Sequence, residues 1–163
     1  MGQEAQVEEV AAVVAEGSLI LRLTFDRPLQ KALYLENGAP VSGRVRATVY
    51  LDADADRTTG LDEGPMDLRT GADYRLDVGV LALGADPSEK RPAQALLTVA
   101  LVVVQDGRRK TIWRADDSSH PDAVSLYGES LDVRLPAGAV SPKAGARVIL
   151  SSGGRSRDGR YRP

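Results

Sequence analysis

The chain has 163 residues, with 21 basic and 23 acidic side chains and a formal net charge of -2. That balance excludes a global electrostatic attraction to nucleic acid, and the length suits one domain with its own core. No cysteine is present, which removes disulfides, thiolate zinc sites and cysteine nucleophiles. No apolar run approaches the ~20 residues that a membrane-spanning helix needs.

Sixteen glycines and nine prolines punctuate the chain at short intervals. Between them, period-two alternation and β-branched residues predict strands at Val7–Ala15, Ser18–Phe25, Arg44–Leu51, Ala72–Leu83, Ala95–Gln105, Arg109–Arg114, Ala123–Leu135 and Ala146–Ser151. The turns Ala15-Glu16-Gly17-Ser18 and Gln105-Asp106-Gly107-Arg108 predict tight hairpins, the second through its Asp-Gly pair. The apolar stretch around Val99, Val102, Val103 and Val104 is too rich in β-branched residues for a helix and reads as a strand buried on both faces. No segment carries a capped stripe of helical period. The expected fold is therefore all-β: a single antiparallel β-sandwich, of jelly-roll or immunoglobulin-like type, over residues 1–152. Residues 153–163 read as a flexible basic tail bearing Arg155, Arg157, Arg160 and Arg162.

The segment Tyr50-Leu51-Asp52-Ala53-Asp54-Ala55-Asp56-Arg57-Thr58-Thr59-Gly60 concentrates the chemistry. Three carboxylates recur at every second residue, an unfavourable crowding unless a cation neutralises it. Oxygen donors at this density select a hard cation, and Ca2+ is the first choice. Ca2+ takes about 6–8 oxygens, so Asp52, Asp54 and Asp56 need help. A carbonyl near Thr58 and members of the set Asp62, Glu63, Asp67 and Asp73 are the candidates. The spacing places Asp52, Asp54, Asp56, Thr58 and Glu63 on EF-hand loop positions, but Arg57 occupies the position that motif reserves for glycine, and the flanks have strand periodicity. Asp73 joins by topology: if Arg44–Leu51 and Ala72–Leu83 pair antiparallel, the end of one strand lies beside the start of the next.

The run Val49–Gly60, followed by Gly71-Ala72-Asp73-Tyr74-Arg75-Leu76, resembles a pattern in bacterial exported sandwich domains of the carbohydrate-binding-module-9-like and DOMON-like kind. There, a strand leads into an aspartate-rich loop ending in Thr-Gly, and Gly-Ala-Asp-Tyr opens the next strand. The resemblance covers residues 45–78. It implies a structural calcium ion held by Asp52, Asp54, Asp56 and Asp73. The connection Leu61–Thr70 carries additional acidic residues and departs from that pattern.

The expected function is that of a non-catalytic, exported binding or accessory domain with a carbohydrate or protein partner. A removed signal peptide, and hence a periplasmic, cell-envelope or secreted location, fits the polar opening Met1-Gly2-Gln3-Glu4. Two alternatives stay open: a metal-assisted hydrolase that uses the acidic loop, and a purely structural interaction module. No catalytic residue is assigned. Sugar faces stack on aromatic rings, so Trp113, Tyr74 and Tyr127 are the candidate ligand-binding residues, with core packing the competing role for Trp113. His120, the one histidine, reads as a surface loop residue, and haem ligation by Met66 and His120 is the weaker use for it.

Overall fold

The computed structural model describes residues 5–29, 47–56, 71–83, 87–90, 94–105, 108–152 and 155–162. Eleven strands run through them: β1 Val7–Ala15, β2 Ser18–Phe25, β3 Ala47–Asp52, β4 Tyr74–Leu83, β5 Gln94–Gln105, β6 Arg108–Asp116, β7 Val124–Tyr127, β8 Ser130–Arg134, β9 Arg147–Ser152, β10 Arg155–Asp158 and β11 Arg160–Arg162. They form a five-stranded sheet in the order β11-β1-β2-β8-β7 and a six-stranded sheet in the order β10-β9-β3-β4-β5-β6. All pairings are antiparallel except β1 with β11, which is parallel.

Alternation decides which side chains enter the core. Val10, Leu21, Leu23, Leu131 and Val133 from one sheet share an interior with Val49, Leu51, Leu76, Leu97, Leu101 and Leu150 from the other. The chain is therefore a β-sandwich, as its patterning predicts. Phe25 is the one phenylalanine and is fully buried, so aliphatic side chains carry most of this core. Each buried Leu, Ile or Val contributes about 1.5–3 kcal/mol relative to exposure. Tyr50 and Ile149 have the opposite parity to Leu51 and Leu150. With Ala72 they form a second, smaller apolar cluster on the outer face of the six-stranded sheet.

The turn chemistry also holds. Glu16 and Gly17 both have positive φ, which is the geometry of a tight two-residue hairpin, and Ala15 stands opposite Ser18. In the second hairpin Gln105 stands opposite Arg108, and the Asp106-Gly107 turn between them lies outside the described residues. Two expectations are corrected. The run Ala123–Leu135 is not one strand but two, β7 and β8, which pair with Tyr127 opposite Ser130 across Gly128 and Glu129. Its continuous alternation hides the turn, which Gly128 makes with positive φ. The tail expected to be flexible instead contributes a strand to each sheet. β10 pairs with β9, and β11 pairs with β1. Its composition is polar because these are edge strands, not because they lack partners.

Candidate metal centre

β3 and β4 pair antiparallel with Leu51 opposite Tyr74, which brings the start of one strand beside the end of the other. The Asp73 amide continues the ladder and donates to the Leu51 carbonyl at 2.9 Å. The Asp73 carboxylate then reaches into the acidic loop. Its Oδ2 accepts from the Ala53 amide at 2.9 Å and from the Asp54 amide at 3.1 Å. Asp73 thus fixes the loop backbone as well as adding charge to it.

Asp52, Asp54 and Asp73 each offer a carboxylate oxygen, and these oxygens lie within 4.8 Å of one another. At an effective dielectric of about 20, two unit charges at such a separation repel by ~3–4 kcal/mol, a figure that solvent lowers around half-exposed Asp54 and Asp73. Asp52 has no such relief, because its side chain is 0% exposed. Its Oδ2 accepts from Arg147 Nε at 3.1 Å, and its buried Oδ1 has no hydrogen-bond partner. Burial raises the Asp52 pKa above the ordinary carboxylate range. Arg147 works in the opposite direction, and neighbouring Asp54 and Asp73 add to the rise.

Three carboxylates converge where one guanidinium pairs with Asp52, so the group concentrates negative charge that a metal ion could offset. A buried carboxylate oxygen without a donor is the kind of atom a metal ion satisfies. The residues therefore fit a hard metal ion. The loop is shaped to converge: Ala55 adopts positive φ of 59°, a conformation that costs a non-glycine residue about 1–3 kcal/mol. The segment after β8 packs behind it, with the Lys143 amide donating to the Ala53 carbonyl at 2.8 Å. Asp54 and Asp73 border a cleft of about 360 Å3 whose other walls include Tyr74, Ser141 and Lys143.

Asp56 stands apart from these three carboxylates. It is exposed and lies outside the carboxylate group; its amide donates to Asp54 Oδ1 at 2.8 Å and closes a local turn. Strict extension through Asp56 would have kept all three aspartates on one face, and the left-handed Ala55 breaks that alternation. Thr58, Asp62, Glu63 and Asp67, together with Met66, lie outside the described residues.

Arg147 is the participant that patterning misses. It stands opposite Asp52 in the β3–β9 register, 95 residues along the chain, and nothing local to Ala146–Ser151 announces that pairing. The aromatic candidates do not form a shared platform. Trp113 and Tyr74 are partly buried against the core of the six-stranded sheet. Tyr127 is 64% exposed and belongs to the other sheet. His120 is exposed in the turn after β6, where its Nδ1 accepts from the Asp116 amide at 3.2 Å. Asp116 itself sits below the usual carboxylate range, chiefly because the Ser119 amide donates to it.

The chain matches none of the protein-family models, curated proteins or solved structures with which it was compared. Its function is therefore argued from the site.

Proposed function

We propose that this is a non-catalytic accessory binding domain whose sandwich is locked by a structural Ca2+ ion at Asp52, Asp54 and Asp73. One observation carries the reading: Asp52 Oδ1 is fully buried, has no hydrogen-bond donor, and belongs to a group of three converging carboxylates. Calcium is favoured over softer metals because every donor is a hard oxygen and no cysteine is present. It is favoured over Mg2+ because Ca2+ accepts irregular, carboxylate-rich shells, whereas Mg2+ demands near-ideal octahedral geometry.

The resemblance of Val49–Gly60 and Gly71–Leu76 to carbohydrate-binding-module-9-like and DOMON-like domains supports a binding rather than a catalytic role, with a carbohydrate as the first ligand class. An exported location accords with an ion site of this type, since extracellular calcium modules operate with dissociation constants of about 10⁻⁴–10⁻³ M. The ion would connect the end of β3 to the start of β4, and Arg147 would tie Asp52 to β9.

Thermal melting in calcium and in excess chelator tests the proposal. A ligand that binds only the native state stabilises it by about 2.7 kcal/mol at a hundredfold excess over Kd. For a chain of this size that corresponds to a rise of roughly 5–10 °C. An unchanged melting temperature, with no metal in elemental analysis, would refute it.

A further inference from the structure

A cavity of about 620 Å3 lies away from the carboxylates, on the outer face of the six-stranded sheet. Two adjacent rows of outward residues make it. Thr48, Asp77, Ala100 and Arg114 stand side by side across β3, β4, β5 and β6. Gly79, Thr98 and Asp116 form the next row. The middle of this surface is a trough because its side chains are short.

Gly79 is the first sign that the trough is built. A glycine in the interior of a strand weakens the strand and often marks a close approach by another molecule. Among the described residues, a Cβ placed on Gly79 would meet nothing within 4 Å, so close packing does not require glycine there.

Arg114 is the second. The β5–β6 hairpin starts with Gln105 opposite Arg108 and continues to Val102 opposite Thr111. Carried on without interruption, that register would set Trp113 opposite Ala100 on the outer face and Arg114 opposite Val99 in the core. A bulge at Ile112 inserts one residue, so Trp113 stands opposite Leu101 and Arg114 opposite Ala100. The bulge buries the tryptophan and delivers the guanidinium to the trough. Among the described residues, the Arg114 guanidinium has no hydrogen-bond or ion-pair partner. The trough's carboxylates are already engaged: Asp77 pairs with Arg75 at 3.0 Å, and Asp116 Oδ1 accepts from the Ser118 and Ser119 amides at 3.0 and 2.7 Å.

The cavity therefore offers a planar cation whose side chain has no partner among the described residues, a floor of small residues with the Thr48 hydroxyl and a Thr98 hydroxyl that already donates to the Gly79 carbonyl at 3.2 Å, and carboxylate oxygens at its sides. That combination suits a ligand with one carboxylate and several hydroxyl groups. We propose that the trough binds a uronate sugar, with Arg114 holding the carboxylate as a two-pronged donor. The volume falls within the range of small-ligand sites, about 300–1,000 Å3. This assigns a ligand to the binding role proposed above. It does not depend on the ion, because Thr48 lies near the start of β3 and Asp52 at its end, about 13 Å along an extended strand.

Titration calorimetry with a galacturonic acid trimer, in chelator throughout, tests it separately from the calcium site. The trimer should bind the parent protein, with neutral galactotriose and inorganic phosphate each at least tenfold weaker. Arg114→Gln should weaken the trimer about tenfold or more, the usual loss for a hydrogen bond to a charged group. Gly79→Val should abolish binding without lowering the melting temperature, since valine suits a strand better than glycine and its Cβ would meet no described atom within 4 Å. Arg134→Gln, in β8 of the other sheet, should bind as the parent does. No heat with the trimer, equal affinity for galactotriose or phosphate, or parent-like binding by both the Arg114 and Gly79 variants would overturn the assignment.

Discussion

Gly159→Ala should destabilise the protein by an amount that the packing around a single hydrogen atom sets. Gly159 is the one residue between β10, in the six-stranded sheet, and β11, in the five-stranded sheet. Its amide donates to the Val148 carbonyl at 2.7 Å. A Cβ there would lie 2.5 Å from Val10 Cγ1, 2.9 Å from the Val10 carbonyl oxygen and 3.1 Å from the Val148 carbonyl oxygen. Val10 is buried and β-branched, so its side chain has little freedom to rotate away. The two oxygens belong to strands held in register with β2 and β3. Overpacking of this kind costs about 1–3 kcal/mol, and weakening the Gly159 hydrogen bond adds about 1 kcal/mol. Alanine recovers about 0.4–1 kcal/mol by restricting the unfolded chain. The net expectation is a loss of about 1–3 kcal/mol, or roughly 3–10 °C in melting temperature. If the strain is relieved by peeling the C-terminal strands away, trypsin should cut after Arg155 and Arg157 faster than in the parent. Urea denaturation combined with timed trypsin digestion reads both outcomes. A variant within ~0.5 kcal/mol of the parent, with unaltered cleavage, would refute the argument that this corner joins the two sheets.

Two further outcomes follow from the carboxylates. Asp73→Ala should weaken calcium binding measured by calorimetry at least tenfold, because it removes a carboxylate and releases the Ala53 and Asp54 amides that Asp73 holds; Asp56→Ala should change it far less. Equal effects of the two substitutions would contradict the placement of Asp56 outside the group. Asp117 has its pKa raised, chiefly by burial and against the Leu97 amide that donates to it at 2.9 Å. A raised native pKa favours the protonated form in the fold, so this contribution is fully present below the unfolded value near 3.8 and is lost as pH rises through the native value. Asp117→Asn, which keeps an oxygen for the Leu97 amide, should therefore gain stability relative to the parent at pH 7 but not at pH 3. Denaturant midpoints at the two pH values check the sign.

Much of this molecule is written in local pattern. Strand-forming residues between turn signals place β1 and β2 to the residue; β2 alternates between core and outer positions from Leu19 to Phe25, whereas a bulge between Val7 and Glu9 interrupts the alternation of β1. The turn residues Glu16 and Gly17 mark the hairpin between them because few residues tolerate positive φ. Asp52 and Asp54 are legible as ligand candidates because crowded charge is conspicuous. Asp73 is legible because strands that follow one another tend to pair.

What local pattern lacks is the identity of a distant partner. Arg147 meets Asp52 only through the β3–β9 register, and the polar residues 155–162 become strands only because the edges of β9 and β1 have backbone groups to satisfy. Asp56 leaves the carboxylate group because one left-handed residue, Ala55, reverses the alternation. Arg114 faces outward because Ile112 bulges, a one-residue shift that exchanges the faces of every residue after it. Strand formation is a property of a segment and its periodicity. Register and face are settled by hydrogen bonds and core packing between segments far apart in the chain, and it is these that decide which charges meet.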